Sequence, residues 1–266
     1  MAATKPQPAI PILANGEAQT KSCWSCGDMR AAQFCRSCGS VQPPMPTDYF
    51  AFFGLDRRLN LDVAALERQM YTLSRRLHPD LYARATPQEQ AWSLEQTSKL
   101  NDAYRTLRDA VSRTEYLLRI ESIRTKERSA EDRQRAVPPD LLEEVFELNE
   151  QLEEFRAHAG QAKAAGRSAN NVDSRLRTAV EKAKQSLEQK VAAVDDELRR
   201  CWNDWDSLPN PSAHEIGVRR EPCPEPGADA DSAVERHRVL GAMLKLLERR
   251  RYLSHLVKET AAALNE

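Results

Sequence analysis

Apolar residues recur at spacings of three and four along most of this chain, and each run that keeps the spacing marks a helix. Asp48-Tyr49-Phe50-Ala51-Phe52-Phe53-Gly54-Leu55 reads as a short apolar helix closed by Gly54. Val63, Leu66, Met70, Leu73 and Leu77 form one buried stripe on the next helix, which Asn60 or Asp62 can cap; Arg68, Arg75 and Arg76 lie off that stripe. Pro87 then opens a helix that carries Leu94, Leu100, Tyr104 and Leu107. After a charged connector from Glu121 to Val137, Pro138-Pro139-Asp140 starts another helix, with Leu141, Val145, Leu148, Leu152 and Phe155 on one face. Gly160 to Ser174 reads as a break. Val172 to Trp205 is one long helical pattern with Leu176, Val180, Ala183, Leu187, Val191, Val194 and Leu198 inward, closed by Trp202 and Trp205. Leu208 to Asp231 holds five prolines and reads as a loop. Ser232 is placed to cap a last helix that runs to about Leu264. Three long helices with two breaks predict a three-helix bundle.

Composition agrees with an all-α chain. Of 266 residues, 30% are charged and only 6% aromatic, with few glycines. A net charge of -1 gives no basic bias, so neither nucleic acid nor an anionic membrane is an expected partner. No apolar run reaches the ~18 residues of a spanning helix. The first 22 residues lack the apolar core of a secretory signal and also lack arginine, and residues 1–21 read as a disordered tail.

Three places carry candidate chemistry. The first is Cys23-Trp24-Ser25-Cys26-Gly27 with Cys35-Arg36-Ser37-Cys38-Gly39, a C-x2-C-x8-C-x2-C pattern with Gly after each pair. Each pair makes a tight knuckle that can aim two thiolates at one metal, and four thiolates suit a closed tetrahedral zinc site. A labile iron site or a redox dithiol is the alternative. A segment of about 20 residues has no core of its own, so the metal would supply its folding energy. Cys201 and Cys223 are bystanders.

The second is the corner Leu77-His78-Pro79-Asp80. Pro79 ends the helix and pushes His78 towards extended geometry, which holds His78 and Asp80 at an exposed turn. Arg75 and Arg76 beside it are either a basic rim or a solvated helix face.

The third is the helix after Pro139. Every charged residue from Asp140 to Glu154 is acidic. At about 100° per residue, Phe146 falls ~140° and Leu142 ~100° from the start of the core stripe, while Glu143, Glu147, Glu150 and Glu154 cluster at ~180–240°. Two exposed hydrophobes beside a row of acids suit a docking face. The alternatives are a ragged surface or pairing with the chain's own Arg249-Arg250-Arg251.

The order Asp48-Tyr49-Phe50…Gly54-Leu55, Arg75-Arg76-Leu77-His78-Pro79-Asp80 and Leu100-Asn101-Asp102-Ala103-Tyr104-Arg105-Thr106-Leu107 resembles a J-domain, the helical hairpin that stimulates DnaK-type chaperone ATPases. Ser112-Arg113-Thr114-Glu115-Tyr116-Leu117-Leu118 is similar to the HscB branch, co-chaperones of iron–sulfur cluster biogenesis. The resemblance implies that Arg75, Arg76, His78, Pro79 and Asp80 contact a DnaK/HscA-type chaperone ATPase. Phe146-Glu147-Leu148-Asn149-Glu150-Gln151-Leu152 resembles the helix that binds the IscU-like iron–sulfur scaffold. It places Leu142, Phe146, Glu147, Glu150 and Glu154 on scaffold-contact positions, with Tyr252 of Arg251-Tyr252-Leu253 adding an aromatic contact. Glu143 takes a position that is usually apolar in that family.

The expected organisation is a tail at 1–21, a tetracysteine zinc module at 22–42, a J-domain at 46–121 and a scaffold-binding helical bundle at 138–266. The expected role is a co-chaperone, not an enzyme, because four thiolates leave no open metal position and no nucleophile–base pair is apparent. A general J-protein for unfolded clients is the alternative, and it would need a broad apolar groove. The expected state is a monomer or weak homodimer. The expected compartment is a bacterial cytoplasm, or the mitochondrial matrix if the source is eukaryotic.

Overall fold

The computed structural model describes residues 22–28, 33–121, 141–164, 174–209 and 228–265. The expected tail, the connector after Glu121, the Pro138-Pro139-Asp140 start and Cys223 lie outside the described residues. Those described form seven α-helices: α1 (Tyr49–Phe52), α2 (Val63–Leu77), α3 (Pro87–Arg108), α4 (Ala110–Glu121), α5 (Leu142–Ala164), α6 (Ser174–Ser207) and α7 (Ala228–Asn265). A 3-10 turn, Pro79–Tyr82, separates α2 from α3. The chain is all-α, and the only extended pairing among the described residues is an isolated bridge between Phe34 and Val41. Contacts group into two compact units. One takes in Met1–Pro46 with Leu73–Lys99, the other Thr47–Thr72 with Leu100–Glu266.

In the first unit, the cysteine knuckles share a core with the second half of α2 and the first half of α3. Leu77 is fully buried, and its main-chain carbonyl, at the end of α2 where no helical partner remains, accepts from Ser93 Oγ at 2.6 Å and Thr97 Oγ1 at 3.0 Å. The Gln96 side chain is buried and donates to the Gln42 carbonyl at 2.6 Å. Leu94, the first apolar residue noted on this helix, is exposed. Ser93 precedes it by one residue, about 100° around the helix. The inward face is set by hydroxyls and an amide that satisfy free carbonyls, so the leucine one step on turns out to solvent.

In the second unit, Asp48 caps α1 by accepting from Ala51 N at 2.8 Å, and its carboxylate also takes the Arg57 guanidinium at 2.7 Å. Arg57 reaches Glu121 at 2.8 Å as well. Tyr116 of α4 stacks on Tyr49, centroids 4.4 Å apart, and its hydroxyl accepts from Tyr49 N at 2.8 Å. Asp62, not Asn60, caps α2, with its carboxylate 3.0 Å from Ala65 N. Val63, expected on the buried stripe, is exposed; it stands in the first turn.

Three long helices make the bundle. α6 packs along α7, and α5 lies against both, while α4 packs on α7. The α5 stripe is buried as its spacing requires: Leu141, Val145, Leu148, Leu152 and Phe155. Val180, Leu187, Val194 and Leu198 of α6 and Val239, Met243, Leu247, Leu253 and Leu256 of α7 complete the core. Each such side chain contributes roughly 1.5–3 kcal/mol when fully buried. Gly160 does not break α5, which continues to Ala164; one glycine costs about 1 kcal/mol in a helix, too little to end a well-packed one. α7 is described from Ala228, inside the stretch expected to be loop and ahead of the expected cap Ser232.

The end of α6 holds the loop between α1 and α2. Trp205 Nε1 donates to the Arg57 carbonyl at 2.8 Å, and the Asp206 carboxylate accepts from Leu59 N at 2.7 Å and Asn60 N at 2.8 Å. Trp205 is buried, as expected of core closure.

Candidate functional site

The corner comes first in the chain's logic. His78 precedes the 3-10 turn with extended ψ of 127°, and its Nδ1 accepts from Asp80 N at 3.3 Å. Proline at the first turn position removes a donor that would have no acceptor and fixes the direction of the chain. Tyr82 Oη donates to the Arg76 carbonyl at 3.1 Å and ties the turn back to α2. The Asp80 side chain is 89% exposed, and the His78 imidazole lies 3.5 Å from its carboxylate. A rigid turn therefore presents a carboxylate to solvent. Arg75 and Arg76 are exposed on the last turn of α2.

The acidic face lies on α5. Leu142 is 55% and Phe146 73% exposed, and Glu143, Glu147, Glu150 and Glu154 are exposed beside them. Of the chain's own arginines, Arg250 bonds Asp195 at 2.5 Å and Arg251 bonds Glu115 at 2.9 Å, both away from this row. Tyr252 is half-buried on α7, and burial, followed by the charge of Glu259, pushes its phenol up.

The cysteines form a cage. Their four Sγ atoms all lie within 4.8 Å of one another. Cys23 Sγ is 3.6 Å from Cys38 Sγ, and Cys26 Sγ is 3.6 Å from Cys35 Sγ. A tetrahedral zinc with bonds of about 2.3 Å requires sulfur separations of about 3.8 Å, so the cage fits a four-thiolate cation. Each knuckle closes alike: Gly27 N donates to the Cys23 carbonyl at 2.8 Å and Gly39 N to the Cys35 carbonyl at 3.0 Å. Gly27 and Gly39 have φ of +78° and +75°, a region that a side chain would strain. The Ser25 main-chain N–H and the Gln42 side-chain amide donate to Cys23 Sγ at 3.4 and 3.3 Å.

Crowding splits the thiols. Cys38 is held down at about 6, first by the Ser40 hydroxyl and then by its backbone N–H. Cys26 is pushed up to about 12: the Asp28 backbone N–H lowers it, but the Cys38 sulfur, desolvation and Cys35 together outweigh that. Cys23 is lowered: burial raises it, while the Cys26 and Ser25 backbone N–H groups bring it down. Four thiolates at this spacing need a shared cation.

Several residues at this site carry no sequence signal of their own. Phe34 is buried, and the Arg76 guanidinium lies over its ring at 3.9 Å. Trp24 meets Trp92 edge to face, centroids 5.6 Å apart, and its Nε1 donates to the Val41 carbonyl at 2.6 Å. Only the odd aromatic among cysteines, at Trp24 and Phe34, hints at a packed neighbour.

Residues 137–202 match the family model described as the HSCB C-terminal oligomerisation domain. The chain is 35% identical over 133 residues to the iron-sulfur cluster co-chaperone protein HscB homolog of Arabidopsis thaliana, covering 50% of this chain and 51% of that one. It thus spans about half the length of that relative. It is 30% identical over 146 residues to the co-chaperone protein HscB homolog of Aliivibrio salmonicida (strain LFI1238), covering 54% of this chain and 82% of the relative. The crystal structure of human co-chaperone protein HscB has the same fold, with a TM-score of 0.54 at 23% identity over 91% of this chain and 98% of that one. An exposed His-Pro-Asp corner, a tetracysteine cage and a three-helix bundle place the chain in a class of all-α proteins with the HscB fold. Within it, this chain belongs to the HscB family.

Proposed function

We propose that this chain is a co-chaperone of iron–sulfur cluster biogenesis that stimulates the ATPase of a DnaK/HscA-type chaperone and delivers an IscU-like scaffold to it. The observation that carries the reading is the His78-Pro79-Asp80 corner: a carboxylate almost fully in solvent, on a turn stiffened from both sides. Asp80 pairs with an arginine of the ATPase, and Arg75 and Arg76 meet its acidic groove, which biases the chaperone towards hydrolysis. His78 and Pro79 hold that geometry.

In the same reading the bundle, residues 138–266, tethers the scaffold through Leu142, Phe146, Glu147, Glu150, Glu154 and Tyr252. A J-domain at 46–121 contacts the chaperone, so one chain raises the scaffold's effective concentration at the ATPase. The module at 22–42 holds zinc through Cys23, Cys26, Cys35 and Cys38, and the metal supplies the folding energy that this small segment lacks. Chemistry on a substrate has no place in this role.

The test is steady-state ATPase of a DnaK-type chaperone with full-length chain, with and without scaffold. Asp80→Ala is expected to abolish stimulation while leaving helicity by circular dichroism unchanged. Retained stimulation would sink the assignment.

A further inference from the structure

The tetracysteine module sits on the same unit as the His78-Pro79-Asp80 corner, and three contacts join it to the helices there. The Arg76 guanidinium stacks on Phe34 at 3.9 Å, and Arg76 is two residues from His78. Trp24 meets the Trp92 ring edge to face, with centroids 5.6 Å apart. Gln42 faces both ways: its side-chain amide donates to Cys23 Sγ at 3.3 Å, and its main-chain carbonyl accepts from Gln96 of α3 at 2.6 Å. Phe34 immediately precedes the ligand-type Cys35, and its bridge partner Val41 precedes Gln42.

We propose that Phe34 is a positioning residue of the chaperone-docking surface: it holds the face of the Arg76 guanidinium so that the N–H edge points to an acidic partner. The metal-bound knuckles in turn hold Phe34. A stacked guanidinium keeps its donors in its own plane, and those donors match carboxylates in pairs. Arg76 stays exposed while its face is fixed, which is the condition for binding without loss of side-chain freedom on contact. The partner of this surface is an acidic patch on the chaperone ATPase, and the inference rests on the docking role proposed above for the corner.

The experiment measures the Kd of fluorescently labelled full-length chain for an ATP-loaded DnaK-type chaperone. Phe34→Leu is expected to raise Kd about three- to tenfold, while Phe34→Tyr, which keeps the ring, stays within about twofold of wild type. In an Arg76→Ala background, Phe34→Leu adds less than about twofold, because the group it positions is gone. Equal effects of Phe34→Leu in both backgrounds would overturn the proposal, as would a wild-type Kd for Phe34→Leu. Asp80→Ala serves as the reference. If it loses binding while Phe34→Leu does not, the positioning role alone fails; if it binds like wild type, the docking role itself fails.

A second readout needs no chaperone and no Phe34 substitution. The ring current of Phe34 shifts the Arg76 Cδ protons upfield in the NMR spectrum of the zinc-loaded chain, and a chelator is expected to erase that shift. An Arg76 resonance that is indifferent to chelation would overturn the link between the metal and Arg76.

Discussion

Phe146 and Leu148 stand two residues apart on α5, and their exposures are 73% and 4%. That contrast separates binding from stability. Phe146→Ala is expected to change stability by no more than about 0.5 kcal/mol, as for an exposed site, yet to weaken scaffold binding. Leu148→Ala removes a buried side chain and is expected to cost about 2–5 kcal/mol. Thermal melts and a scaffold titration on the two variants check both statements. An equal loss of melting temperature would show that Phe146 belongs to the core. The outward face of α5 was legible because helical angle alone separates Leu142 and Phe146 from the stripe. Arg113 was not. It is buried, and it donates to the Leu107 carbonyl at the end of α3. Burial lowers its pKa, and the charges of Asp109 and Asp206 oppose that. An arginine inside has no signature in a hydrophobic pattern, because what draws it in is an unpaired carbonyl.

At the scale of the element, caps decide where helices start. Asp109 precedes α4, and its carboxylate accepts from Ser112 N at 2.7 Å. That main-chain donor, followed by burial in opposition and the Ser112 side chain, leaves the Asp109 carboxyl below its usual value. A depressed carboxylate adds stability above its unfolded pKa, and that stability is lost as pH falls through the folded value. Asp109→Ala is therefore expected to cost about 1 kcal/mol near neutrality. The gap from wild type should close as pH drops below about 3.9. Urea unfolding at pH 7 and at acid pH checks the sign. α2 and α3 show where pattern reading stops. The apolar spacing of α2 put Val63 on its buried stripe, yet it is exposed; on α3 the structure buries Ser93 and Gln96 and exposes Leu94 between them. Over that stretch α3 faces a helix end and a main-chain carbonyl, so it is hydrogen bonds that choose the face. On α5 no such competitor arises, and its stripe is buried as the spacing predicts; on α6 Val180, Leu187, Val194 and Leu198 are buried, while Leu176, Ala183 and Val191 are only half-buried.

On the scale of the whole molecule, the chain joins a small tetracysteine module to a bundle with an apolar core of its own. Among the described residues, the module's only buried side chains are Cys23, Phe34, Cys35, Val41 and Gln42, too few for a core. The bundle buries a continuous apolar stripe along each of its three helices. Removing metal with a strong chelator is expected to abolish amide protection in the knuckles while α5, α6 and α7 keep theirs, as read by hydrogen exchange. Loss of protection throughout would mean that the chain unfolds as one unit. The cysteine spacing announced the module. The aromatic and amide contacts that seat it did not show in the sequence, because single residues such as Phe34 and Gln42 carry no period.

The Asp206 clamp has one more consequence. The carboxylate that receives Leu59 N lies 147 residues further along the chain. Ribosomes add about 5–20 residues each second, so this partner is synthesised roughly 7–30 s after the loop it secures. During that interval the main-chain N–H groups of Leu59 and Asn60 lack the carboxylate that receives them in the fold. The first helices therefore leave the ribosome with their root untied, and only completion of α6 brings its closing carboxylate.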